Sequence, residues 1–171
     1  CQLEAEGLKG LILDLRSNPG GLLDSAVEIA DKFISRGLIV RTQPRFGMAS
    51  YESAREERTH PDRPLVILVN NLTASASEIV AGALQDPKYN RAVLVGERTY
   101  GKGSVQTIAS QSGTEAQLKY TIAYYHLPSG QRVESQNKMQ NREEDNWGIS
   151  PDVTVKLRSD ELQKLAEVQR E

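Results

Sequence analysis

Three stretches of this sequence combine reactive side chains with a backbone able to expose them: Asn18-Pro-Gly-Gly21, Ser75-Ala-Ser-Glu78 and Gly96–Gly103. Ser75-Ala-Ser-Glu78 reads first as a helix capping box, in which the serine accepts from the third helical amide and Glu78 reaches back. The same placement puts a hydroxyl at the positive end of a helix, where outward-pointing N–H groups stabilise negative charge. A small nucleophile beside an anion-stabilising site is what acyl transfer requires. Lys102, in the third stretch, could serve as general base if it is buried near Ser75, because desolvation favours its neutral form. That stretch, Gly96-Glu-Arg-Thr-Tyr-Gly-Lys-Gly103, also opens like a phosphate-binding loop. Two features argue against nucleotide binding: Gly103 stands where Ser or Thr would hold magnesium, and Ser104–Ala109 alternates like a strand where such a loop starts a helix. His60, in a charged arm, and His126, near the end of a strand, read as surface or packing residues, although a Ser–His–Asp triad would have to recruit one of them.

These loops need strands and helices to hold them. Gln2–Glu6 reads as a short helix stopped by Gly7. Gly10–Arg16 and Pro64–Val69 are apolar runs of strand length bounded by turn residues, as is Arg91–Val95. Leu22, Leu23, Ala26, Val27, Ile29, Ala30, Phe33 and Ile34 recur at helical spacing up to Gly37, and a second helix is expected over Ala76–Gln85. Leu38–Arg41 reads as a strand and 43–62 as an exposed excursion or β-arm. From Val105 the period changes to two, over Val105–Ile108 and Gln117–Tyr125, with a turn at Pro128-Ser-Gly130. Residues 135–147 read as a polar loop and Asp160–Gln169 as a polar helix. Strands alternating with helices, the strands continuously apolar, predict an α/β core with a mostly parallel buried sheet and a β-rich C-terminal part. The three reactive loops then follow three parallel strands and meet at one sheet edge, where ligand sites of open α/β sheets lie.

Composition narrows the function classes. At 171 residues, with 26% charged and 38% hydrophobic residues, the chain is expected to form one globular domain. A net charge of −2 gives no basic excess for nucleic-acid binding. The apolar runs are far shorter than a membrane span needs. The single cysteine and two histidines make an internal disulfide impossible and a metal site improbable.

The ordered set Gly10-Leu-Ile-Leu-Asp-Leu-Arg-Ser-Asn-Pro-Gly-Gly21, Thr73–Ala83, Gly96–Gln106, Tyr120–Gly130 and Gly148-Ile-Ser-Pro-Asp152 resembles the carboxyl-terminal processing, or tail-specific, serine proteases. The resemblance implies a crotonase-like α/β fold and a serine–lysine dyad that cleaves proteins near their C-terminus. On the family's motifs Ser75 is the nucleophile, Lys102 the general base and Gln106 the residue that orients the lysine. The oxyanion hole falls on the backbone amides of Ala76 and of Gly20 or Gly21. No metal or organic cofactor is implied. The expected partners are protein substrates with accessible C-terminal tails, and the expected location is extracytoplasmic. Relatives of this fold that bind retinoids without proteolysis supply the alternative, a binding module. The family's PDZ-type domain and preceding strand–helix pair are not found in residues 1–171. The segment is therefore expected to be a truncated single core domain, weakly active and able to self-associate. The spacing between Ser75 and Lys102 is slightly long, with an extended turn at Asp86-Pro-Lys-Tyr-Asn90 as its expected cause.

Overall fold

The computed structural model describes residues 2–60, 62–110, 117–136 and 146–168. A four-stranded parallel sheet forms the centre, in the order β1 (Leu11–Asp14), β4 (Leu65–Val69), β5 (Val93–Gly96) and β8 (Val153–Thr154). Its first three strands are the apolar runs anticipated from the sequence. β8 was not anticipated, although two β-branched residues follow Asp152 there. Two residues are too short a run for periodicity to register. The second sheet is antiparallel and runs β3 (Ser50–Ala54), β2 (Gly37–Pro44), β7 (Gln117–His126) and β6 (Ser104–Ser110).

One face of the parallel sheet carries Leu13, Leu65, Ile67, Val69 and Leu94 into the core, against helices α2 (Leu23–Asp31) and α3 (Ala76–Gln85). α3 is buried almost all round, from Ala76 to Leu84, as an interior helix must be when it is apolar on every side. Two further helices, the short α1 (Gln2–Ala5) and α4 (Ser159–Val168), lie near the ends of the described chain.

The excursion after β2 is a β-arm: β3 returns antiparallel along β2, then a 3-10 turn covers Glu56–Arg58. β2 itself extends to Pro44 and joins the antiparallel sheet. The polar loop expected over 135–147 falls largely outside the described residues.

The extended turn after α3 is held by Asp86. Its backbone carbonyl accepts from Tyr89 N–H at 2.8 Å, its carboxylate accepts from Lys88 and Ser129 N–H, and the Tyr89 hydroxyl donates to Leu38 O at 2.7 Å. The turn residues are thus packed into the fold. Because β1, β4 and β5 are neighbours and run the same way, the loops that follow them emerge together at one edge of the sheet.

Candidate active site

Ser75 is the N-cap of α3, and its φ of 57° and ψ of −119° are those of the first central residue of a type II′ turn. A side chain in this conformation costs on the order of 1–3 kcal/mol and persists only where the surroundings impose it. Here they do. Ser77 N–H closes the turn on Ala74 O at 3.2 Å, Ala74 N–H donates to Asn18 O at 3.0 Å, and the buried Thr73 hydroxyl donates to Leu15 O at 2.8 Å. The capping box forms, and its firm half is the Glu78 carboxylate, which accepts from Ser75 N–H at 2.8 Å. Glu78 N–H donates to the Ser75 backbone carbonyl at 2.9 Å, so the hydroxyl lies by that N–H without a hydrogen bond binding it there. Ser75 is half-buried, whereas Ser77 is buried in the helix.

The loop after β1 is fastened against this turn. Arg16 grips Asp14 through two side-chain bonds, Nε to Oδ1 at 2.9 Å and Nη2 to Oδ2 at 2.6 Å, and holds the Asp14 carboxyl below its usual range. Ser17 takes a left-handed φ of 59° and donates its N–H to Asn70 Oδ1 at 2.8 Å. At Gly20, φ is +93°, and a Cβ there would lie 2.7 Å from Ala74 O, 2.8 Å from Ala76 N and 2.9 Å from Ser75 Cβ. Only glycine lets this loop reach the serine. The Gly20 N–H is given to Asn18 Oδ1 at 3.0 Å.

The third loop arrives through one buried carboxylate. Glu78, with no exposed surface, accepts from four donors: Ser75 N–H and Lys102 N–H at 2.8 and 2.7 Å on Oε2, and the Thr99 hydroxyl and Gly101 N–H at 2.5 and 2.8 Å on Oε1. The backbones of Ser75 and Lys102 therefore converge on a single oxygen. The Lys102 side chain is exposed, contrary to the burial that its use as a base had led us to expect. It lines a cleft of about 680 Å³ with Pro19, Ala74 and Gln106.

Gln106 reaches that cleft from β6 beside an irregularity. The register jumps from Val105↔Ala123 to Gln106↔Thr121, so Ile122 is an extra residue in β7, its carbonyl taken by Arg45 N–H at 2.9 Å. A bulge reverses the alternation of side chains, which explains why Lys119, Thr121 and Tyr124 all face the cleft despite odd spacing. Neither histidine lines it. Burial, with Arg41 and Arg132 nearby, holds the His126 imidazole below its usual range. Among the described residues no group of three or more His, Cys, Asp or Glu could hold a metal.

A strained serine at a helix N-cap, a glycine loop packed against it and a lysine whose backbone N–H meets the same carboxylate are brought together at one edge of a crotonase-like α/β fold. The family model for peptidase family S41 matches residues 1–155, and the chain belongs to that family. The chain is 45% identical over 154 residues to a carboxyl-terminal-processing protease of Synechocystis sp., which covers 90% of this chain and 33% of that protein. It is 40% identical over 156 residues to a carboxy-terminal-processing protease of Bartonella bacilliformis, covering 90% of this chain and 32% of that one. A solved photosystem II D1 C-terminal processing protease superposes with a TM-score of 0.75 at 37% identity, over 91% of this chain and 36% of its own. The chain thus spans about a third of the length of the relatives it matches.

Proposed function

We propose that residues 1–171 form the core of a serine endopeptidase that cleaves proteins near their C-terminus with Ser75 and Lys102. The observation that carries this reading is the shared carboxylate: Glu78 Oε2 accepts the N–H groups of both Ser75 and Lys102. In its neutral form Lys102 takes the Ser75 proton as Oγ attacks the scissile carbonyl. Charge on the carbonyl oxygen is met by the Ala76 N–H at the start of α3 and by the backbone amide of Gly20 or Gly21. The ammonium then gives its proton to the leaving amine. Water, deprotonated in turn by Lys102, hydrolyses the ester and restores the serine. A peptide lying in the cleft would cover the exposed Lys102 and lower the cost of its neutral state. Gln106, aimed into the same cleft, would orient the amine.

The substrates we propose are proteins with accessible C-terminal tails, met outside the cytoplasm. No helix of the described residues is long and apolar enough to cross a membrane. The alternative, a non-proteolytic binding module, shares the fold and is separated by chemistry. A fluorophosphonate probe on the full-length protein should modify Ser75, identified by mass spectrometry of the labelled peptide. An unmodified protein, or a label on another residue, would overturn the proposal.

A further inference from the structure

The charge of the cleft runs against that of the chain. The sequence carries a net charge of −2, yet the described residues lining the cleft include Lys102, Lys119 and Arg132 against one acid, Glu134. That acid is already engaged: Arg132 Nε lies 3.0 Å from Glu134 Oε1. The Arg132 guanidinium is also stacked over the Tyr124 ring, 3.5 Å from its centroid. Lys102 is committed by our reading to proton transfer. Lys119 remains: it is exposed, it faces the cleft from β7, and it has no ion-pair or hydrogen-bond partner among the described residues.

Its position along the cleft follows from the strand register. Ser104, two residues after Lys102, is opposite Tyr124, and Ile108 is opposite Lys119. Lys102 precedes Ser104 by two residues, so six residues at about 3.3 Å each put Lys119 on the order of 20 Å from Lys102. Among the described residues β6 pairs only with β7 and is an edge to which an extended peptide could add. Such a peptide, reacting at Ser75 beside Lys102, brings about its sixth residue from the scissile bond level with Lys119. A cationic cleft with low-dielectric walls concentrates field on that position.

We propose that Lys119 is a specificity-determining residue that reads a carboxylate about six residues from the scissile bond. The carboxylate comes from an Asp or Glu side chain or from the chain terminus. This rests on the reading of Ser75 and Lys102 given above, but it concerns which peptides are selected and not the bond-breaking step.

The test is a randomised decapeptide library digested by the full-length protein, with cleaved bonds located by mass spectrometry. Asp and Glu should be enriched about threefold to fivefold near the sixth position on one side of the cleaved bond, the size of one exposed ion pair. The enrichment should fade in about 0.5 M salt. Lys119→Glu should exchange it for Lys and Arg, and Lys119→Gln should abolish it. Both variants should keep the fluorophosphonate labelling rate and thermal midpoint of the parent. A C-terminally amidated library separates the sources: side-chain enrichment survives amidation, whereas enrichment of free termini at that position does not. The same profile in parent and Lys119→Glu would overturn the inference and leave the protease reading standing. So would a protein that labels at Ser75 and cleaves no library peptide. A protein that neither labels nor cleaves overturns both.

Discussion

Ser75 occupies a backbone conformation that glycine adopts readily and serine does not, and this separates its catalytic from its structural cost. Ser75→Ala and Ser75→Gly should both lower kcat/KM by at least about 10³-fold, since each removes the proposed nucleophile. The glycine variant should nevertheless be more stable than the alanine variant by about 1 kcal/mol in urea denaturation, because it releases strain that alanine retains. Equal stabilities would mean that the strained turn relaxes once the hydroxyl is gone. Ser77→Ala, in the buried second position of the helix, should retain activity.

Glu78 calls for a different experiment, because it touches only backbone and Thr99 and acts through position. Glu78→Gln keeps the shape but turns an NH₂ group toward two of the four donors. Displacement of the Lys102 loop by as little as 1 Å would cost about 10²-fold. We expect kcat to fall by about that factor with KM little changed, and stability to fall by about 1–3 kcal/mol from the unmatched buried donors. A change confined to KM would assign Glu78 to substrate binding instead.

At the scale of elements, the strand ends matter more than the strands. β1 delivers the Gly20–Gly21 loop, and its last residue, Asp14, is clasped by Arg16. Arg16 holds the folded-state carboxyl of Asp14 below its unfolded value of about 3.8. The stability this supplies is therefore fully present above pH 3.8 and is lost as pH falls through the lower, folded value. Asp14→Asn should be less stable than the parent by a constant amount, less than about 1 kcal/mol for so exposed a pair, from pH 7 down to about 5. Below about pH 4 the two unfolding free energies should converge. Curves that stay parallel to pH 2 would remove the pair from any role in seating the loop.

The sequence made three of the four parallel strands, α3 and the three reactive loops legible because each rests on local signals: continuous apolar runs, a capping box, glycines beside proline or lysine. What could not be read locally depends on partners. The extra residue at Ile122 exists only relative to β6, and periodicity within β7 gives no sign of it. The assignment of β2 to the antiparallel sheet is a matter of pairing, not of composition. The four-way role of Glu78 was half visible as a capping residue, but its bonds to Thr99, Gly101 and Lys102 cross more than 20 residues of chain. The exposure of Lys102 could not be foreseen from a motif in which two glycines flank it.

For the whole molecule, the outer face of the parallel sheet is its least covered region. Register puts Ile12, Val66 and Val93 in one row across that face, and Leu68, Val95 and Val153 in the next. Ile12 is 67% exposed, Val153 49% and Val93 47%. Parallel sheets are ordinarily covered on both faces, and among the described residues α2 and α3 pack on one. Among the described residues β1 is in addition an edge strand, paired with β4 alone. An apolar face next to open backbone groups favours pairing between chains. We therefore expect polypeptide 1–171, prepared alone, to self-associate at micromolar concentration in sedimentation equilibrium. Ile12→Asp with Val93→Asp should shift it toward monomer without unfolding it, because both side chains project away from the core. The comparison also bears on activity, since association through this face leaves Ser75, at the carboxyl edge of the same sheet, unobstructed. Fluorophosphonate labelling should accordingly proceed at the same rate in the associated and the dispersed forms. A monomeric polypeptide at about 100 μM would show that the exposed face is tolerated by itself. Labelling that rises on dispersal would place the contact across the cleft instead.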